Sequence, residues 1–405
     1  MTGRPTTKLW LRLLTLFTLA SFAETIFWGQ MGAFMPLYLP KLGVPIADVP
    51  IWIGAIASIA GAIGIPLLPL WGALADRYGR QPIIVRSFVV HLVAGVIALL
   101  ASNVWMFVLA RALMSLALGN SGLMMTTLSE HTPRDRQGLA FSILNSASPI
   151  GGLVGPLIGG PIVDGWGFPT LLATDAALML AVSLALTFGY RDTFVSRENG
   201  PILRMAWDGV LIIWRSARLR ALFPALFMLF AGWTLAQAYI PLAITALYHG
   251  DSPGTAVGYV LGSAGLVSMV LGPAMGMLAD RYGHWRVLFA GAAVEIVLWL
   301  LPPLMPELIG FGASWALLSG LLTSVLAISF NVLSDSAPSA VRGRVMSFAY
   351  LPVNVGFMIG PAIGSVVTRA SIFAVFPVAA LLTLIGLGAL ALAARQAPAP
   401  ATQPV

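Results

Sequence analysis

The chain has no cysteine, four histidines and only two lysines, Lys8 and Lys41. The first absence excludes disulfides and thiolate metal sites. No metal-ligand spacing and no nucleophile–base pair is visible along the 405 residues, so neither an enzyme nor a cofactor is expected. Charge is also scarce. Only 9% of residues are Asp, Glu, Lys or Arg, against about 25% in soluble domains. In place of charge stand 58% hydrophobic residues, many in apolar runs of about 20 residues, the length that crosses a bilayer as a helix. A net charge of +7 would suggest nucleic acid in a soluble protein. Here the charges sit in short loops between apolar runs, so the expected partner is the lipid bilayer, and no nucleic acid.

What the chain does contain, it contains twice. Gly72-Ala73-Leu74-Ala75-Asp76-Arg77-Tyr78-Gly79-Arg80 returns as Gly276-Met277-Leu278-Ala279-Asp280-Arg281-Tyr282-Gly283-His284. Gly155-Pro156 returns as Gly360-Pro361, and Pro36-Leu37 as Pro241-Leu242. Glu130 with Pro133 returns as Asp335 with Pro338. The offset is 204 for the first pair and 205 for the others. Tandem copies of one membrane-embedded half are the mark of a secondary transporter with its substrate site between the halves.

Twelve spans are expected, near 12–38, 51–74, 82–101, 104–129, 138–163, 169–190, 219–247, 255–279, 284–304, 309–333, 343–368 and 371–394. The fold class is therefore an all-α membrane protein, with twelve transmembrane helices in two pseudo-symmetric six-helix bundles. The expected domains are residues 1–190, a central cytoplasmic loop at 191–218, a second bundle at 219–395 and a disordered tail at 396–405. Trp207, Val210, Leu211 and Trp214 recur at helical spacing in the central loop and suggest an amphipathic segment at the membrane surface. Of the 22 Lys and Arg, all but Lys41, Arg369 and the intrahelical Arg111 fall on one set of alternate loops and the termini. That asymmetry predicts both termini in the cytoplasm. The basic and apolar start, through Ser21-Phe22-Ala23, has the look of a signal peptide. The apolar run continues past it, so an uncleaved first helix is expected.

The loop Gly-x-Leu-Ala-Asp-Arg-x-Gly-Arg between the second and third spans resembles the signature of the major facilitator superfamily. Twelve spans, a duplicated half and a long central loop extend the resemblance over nearly the whole chain. Gly151-Gly152-Leu153-Val154-Gly155-Pro156-Leu157-Ile158-Gly159-Gly160 looks like the antiporter motif of the drug:proton branch with twelve spans. Gly151, Gly155 and Gly159 form one smooth stripe at i, i+4 and i+8, which lets another helix approach closely. Gly258, Gly262 and Gly265 of the eighth span are candidates for the facing surface. Pro156 removes a backbone donor and favours a bend. The branch also carries an Arg in the fourth span followed by Gln and Gly. Arg111 matches, but Met114 and Ser115 depart from the pattern.

The resemblance places spans one, four, seven and ten around the cavity. Glu24 stands on the first of these, and an acid at a helix centre costs about 2.5–3.5 kcal/mol on insertion scales. It is the candidate proton carrier, with Arg111 its counterpart at a depth about one and a half turns away and a water or substrate between them. Asp175 is expected near the outer end, reaching water. His91 is expected as a satisfied packing residue. Glu295 has no account from the sequence.

The signature loops imply a conformational latch. Asp76 would meet the start of the eleventh helix near Gly343, where a carboxylate faces the positive dipole end. Arg77 and Arg80 would pair with Glu130, and Asp280, Arg281 and Asp335 form the second copy, weakened by His284. The cavity candidates are Phe27, Trp28, Met31, Met114, Asn145, Phe230, Trp233, Gln237, Tyr239 and Asn331. They make an apolar, aromatic lining with few polar anchors, which suits varied lipophilic ligands, cationic ones included. The resemblance thus implies a monomeric, proton-coupled exporter of small lipophilic molecules in the inner membrane of a bacterium. The alternatives are a proton-linked transporter of one metabolite or sugar, and a lysolipid flippase.

Overall fold

The computed structural model describes residues 7–192, 211, 213–338, 342–346 and 348–396. Among them there is no strand. Eleven helices are long and apolar enough to cross a membrane, and Leu351–Val367 is a shorter apolar helix. The first half contains α1 (Thr7–Tyr38), α2 (Val49–Gly64), α3 (Leu68–Tyr78), α4 (Arg80–Leu99), α5 (Val104–Met114), α6 (Asn120–His131), α7 (Gln137–Trp166) and α8 (Phe168–Gly189). The second contains α9 (Ala217–Gln237), α10 (Ile240–Leu247), α11 (Pro253–Tyr282), α12 (His284–Leu298), α13 (Leu308–Ser336), α14 (Leu351–Val367) and α15 (Val375–Arg395). Of the amphipathic segment expected at 207–214, Trp207 and Val210 lie outside the described residues.

Four expected spans are interrupted, each with a local cause. The run 51–74 breaks at a tight turn over Ile65–Leu67, where Pro66 and then Pro69 remove helical N–H donors. The run 219–247 breaks at Ala238–Tyr239, and Pro241 restarts it as α10. The run 104–129 breaks over Ser115–Ala117 and resumes after Gly119, whose φ of 98° favours glycine. The expected helix at 343–368 starts as a short helix over Arg342–Met346, breaks, and resumes at Leu351, with Pro352 in its first turn.

The helices of a membrane protein gain little from hydrophobic association, so small residues that admit close backbone contact hold them together. The Gly151, Gly155 and Gly159 stripe does this against α1. A methyl group added at each would meet Thr25, Ile26 or Phe34 at 2.9, 3.2 and 2.6 Å. This corrects the expectation that α11 faces the stripe. The glycines of α11 face another side of α7. Methyls at Gly258, Gly262 and Gly265 would run into Pro156, Leu157 and Leu153.

The second half repeats both faces. Gly356 and Gly360 of α14 abut Thr234 of α9, and Gly364 abuts Tyr239 just beyond it. Gly54 of α2 stands against the Pro361 carbonyl as Gly258 stands against that of Pro156. Gly61 stands against Met358 as Gly265 stands against Leu153. The glycines are 204 apart and their partners 205 apart. The contacts therefore carry the same offsets as the sequence repeat.

Gly258→Ala should destabilise the fold by about 1–3 kcal/mol through overpacking. Gly152→Ala should be neutral, because nothing lies within 4 Å of a methyl there. Thermal stability of the two purified variants, followed by size-exclusion chromatography in detergent, checks the contrast. Equal losses would refute the packing argument.

Candidate functional site

The break in the fourth span aims a polar side chain at Glu24. Gly119 turns the backbone, so Asn120 opens α6 facing α1. Its side-chain amide donates to both Glu24 carboxylate oxygens, at 2.9 and 2.8 Å. Its own Oδ1 accepts from the Ser121 backbone N–H at 2.9 Å. The break also frees the Leu118 carbonyl. Arg86 of α4 donates to it at 3.0 Å, and its guanidinium lies 3.4 Å from the centre of the Trp71 ring. Asn120 and Arg86 were not singled out in the sequence. The Gly-Asn pair inside an apolar run was the available signal.

Behind Glu24 stands His91 of α4, its Nδ1 3.9 Å from Glu24 Oε1. The imidazole is fully buried among Phe27, Trp28 and Phe88, with ring centres 5.3, 5.9 and 6.3 Å away. Neither ring nitrogen has a hydrogen-bond partner among the described residues. His91 is therefore not the satisfied packing residue expected. Arg111 is also buried. It lies 5.4 Å from the Trp28 ring centre and donates weakly to Met114 Sδ at 3.5 Å. No ion pair joins it to Glu24 among the described residues. The structure thus brings Glu24, Asn120, His91, Trp28 and Arg111 into one neighbourhood in which a neutral amide grips the carboxylate.

Helix rotation divides the remaining cavity candidates. Asn145, Gln237 and Asn331 are exposed, and Trp28 and Trp233 partly so. Phe27, Met31, Met114, Phe230 and Tyr239 are buried in the packing. The single Tyr239 hydroxyl proton is shared between the Pro361 carbonyl at 2.7 Å and that of Pro50 at 3.1 Å, joining the two halves. Asp175 is only 3% exposed, against the expectation that it reaches water. Glu295 is buried, and its Oε1 has no partner.

The loop copies tie each half to itself. Arg80 donates to Glu130 through both terminal nitrogens, at 2.6 and 2.8 Å, and its backbone N–H meets Asp192 at 2.5 Å. In the second half His284 contacts Asp335 at 2.8 Å and Asp280 at 3.5 Å. His284 therefore stands where Arg80 stands in the first copy, with one carboxylate at hydrogen-bond distance where Arg80 holds Glu130 through two nitrogens. Arg77 and Arg281 lie exposed over their neighbours Tyr78 and Tyr282. The side chain of Asp76, expected to meet the start of the eleventh helix near Gly343, lies outside the described residues.

The opposite end of the molecule carries contacts across the halves. Both Asp164 carboxylate oxygens accept N–H bonds at the start of α11, from Gly254 at 2.8 Å and Thr255 at 2.7 Å. A carboxylate at a helix N-terminus meets free donors and the positive dipole end. Asp164 was not anticipated. Among the described residues no group of three or more His, Cys, Asp or Glu is placed to hold a metal ion.

The chain is similar to other proteins along nearly its whole length. Multidrug resistance protein MdtG of Klebsiella pneumoniae (strain 342) is 28% identical over 98% of this chain and 96% of its own. A multi-drug resistance efflux pump PmrA homolog of Lactococcus lactis subsp. lactis (strain IL1403) is 27% identical over 90% of each. A bacterial homologue of the human lysosomal transporter Spinster, crystallised inward-facing and unoccupied, superposes with a TM-score of 0.73 at 15% identity, covering all of both chains. The family model described as Major Facilitator Superfamily matches residues 13–306 and, in a second alignment, 222–405. With the glycine-faced helix contacts repeating at the sequence offset and the matched loop copies at one end, the chain belongs to the major facilitator superfamily.

Proposed function

We propose that this chain is a proton-coupled exporter of small lipophilic molecules that works by alternating access. The observation that carries the reading is the setting of Glu24. Its side chain is 14% exposed, is held by Asn120 and has no Arg or Lys in direct contact among the described residues. A carboxylate gripped by a neutral donor can take up a proton without breaking an ion pair. Trp28, on the same helix face, and the nearby Arg111 would feel the change of charge. The names of the MdtG and PmrA relatives support multidrug efflux as the transport class.

The arrangement we infer is two six-helix bundles, residues 1–190 and 219–395, in an inner membrane with both termini cytoplasmic. The Arg-rich loops support that orientation. In that frame, the Asp164 and Tyr239 contacts close the outer end. The Arg80–Glu130 and His284–Asp335 pairs stay within their halves at the inner end. The state is then inward-facing, and Asp76 with its loop would form the inner latch in the opposite state. The protein would act as a monomer.

Two outcomes test this. In proteoliposomes with a pH gradient of one unit, each proton exchanged supports about tenfold substrate accumulation. Glu24→Gln should reduce that ratio to about one while downhill exchange survives. Retention of the full gradient-driven ratio would reject Glu24 as the carrier. Asp164→Ala removes two hydrogen bonds to a charged group, worth about 1.5–3 kcal/mol each, so it should favour the outward-open state. The native chain lacks cysteine, which makes Asn331→Cys a clean reporter of the inner opening. Labelling of that site from the cytoplasmic side by an impermeant maleimide should fall about tenfold or more when Asp164→Ala is added. Unchanged labelling would reject the outer closure.

A further inference from the structure

A second polar site lies on the opposite face of α1. Glu24 and Trp28 share the helix face toward His91, whereas Ile26 and Gln30 are rotated about 120–160° from that face at the helical period. Ile26 and Gln30 line a separate cavity of about 200 Å³ between α1, α7 and α8, together with Asp175. Val154, Ile158 and Leu178 are among its apolar walls. Ile158 is 54% exposed, so the cavity opens through the outer side of the helix layer and not toward Glu24.

Two acceptor atoms in this cavity have nothing to accept. Gln30 and Asp175 are each 3% exposed. The Gln30 amide donates to the Gly155 carbonyl at 2.7 Å, which fixes its orientation and leaves Oε1 facing no donor. Among the described residues Asp175 Oδ2 has no hydrogen-bond partner either, and no ion pair reaches the carboxylate. Buried polar atoms without partners are costly and call for an explanation. While Asp175 is ionised, both atoms only accept and cannot satisfy each other. A cation carrying N–H donors offers partners to acceptors of this kind and balances the carboxylate, while hydrocarbon suits the walls. Asp175 lies seven residues into α8, about 10 Å below its start, so the donor must enter on an apolar stem.

We propose that the crevice between α1, α7 and α8 is a binding site for the protonated amine head of an amphiphile, held by Asp175 and Gln30, with its tail leaving past Ile158. The site does not depend on proton coupling at Glu24. A free lipophilic amine and an ethanolamine lipid share this chemistry.

The test uses the full chain in phosphatidylcholine nanodiscs and a photoreactive dodecylamine, with its trimethylammonium analogue as control. Adducts are mapped by peptide mass spectrometry. The primary amine should label the α7 and α8 walls at least tenfold more than the quaternary analogue, which has no N–H to donate. Asp175→Asn should lower that labelling about tenfold. Ile158→Trp, at an exposed position outside the core, should block it by filling the mouth even if Asp175→Asn folds poorly. Glu24→Gln should leave it unchanged. Phosphatidylethanolamine in the disc should compete if the natural occupant is a lipid headgroup, and should not if it is a free amine. Equal labelling by both probes, labelling that survives Ile158→Trp, or no labelling of these walls in the native chain would overturn the site.

Discussion

The close approach of glycine-lined helix faces is the constraint on which the rest of the structure depends. Hydrocarbon surrounds a membrane bundle, so apolar side chains gain little by leaving it for one another. What remains is van der Waals contact, and that requires backbones near enough to touch. The α7 helix meets this on two sides, with Gly151, Gly155 and Gly159 toward α1 and Gly160, Pro156 and Leu157 toward α11. The α14 helix meets it in the same way toward α9 and α2. These four contacts set the helix rotations, and the rotations decide which side chains face one another.

Breaks in the helices do the complementary work. A continuous fourth span would carry Asn120 around the helix at its regular period. The turn over Ser115–Ala117 and the positive φ of Gly119 re-aim the chain so that Asn120 opens α6 against Glu24. A break leaves carbonyls that hydrocarbon cannot satisfy. Arg86 supplies a donor to one of them, the carbonyl of Leu118. The cation on the third span thus serves the break, and the acid on the first span is served by the amide the break delivers.

The ends of the molecule differ in kind. At one end a carboxylate caps a helix of the other half, and a tyrosine hydroxyl bridges two carbonyls across the halves. At the other end the ion pairs stay inside each half. Such an arrangement lets one end separate while each half stays rigid, since the pairs that stiffen a half need not be broken for the halves to part.

Much of this was legible in the sequence. Apolar run length and the paucity of charge required an all-helical membrane protein, because backbone groups in lipid must be satisfied within the segment. The doubled Asp-Arg-x-Gly loops and the two Gly-Pro pairs marked the repeat, and Glu24 was conspicuous because acids are rare in apolar runs. Other features were decided only by tertiary structure. The glycine stripe was visible, but not whether it faced α1 or α11. Asn120, His91 and Asp164 drew no notice or the wrong role, because their partners lie 96, 67 and 90 residues away. Phe27, Met31 and Tyr239 belong to helices that the resemblance assigned to the cavity, yet they turn into the packing. Composition and period report how apolar a helix is and how often its faces recur. The angle at which each face meets its neighbour is settled only when backbones touch.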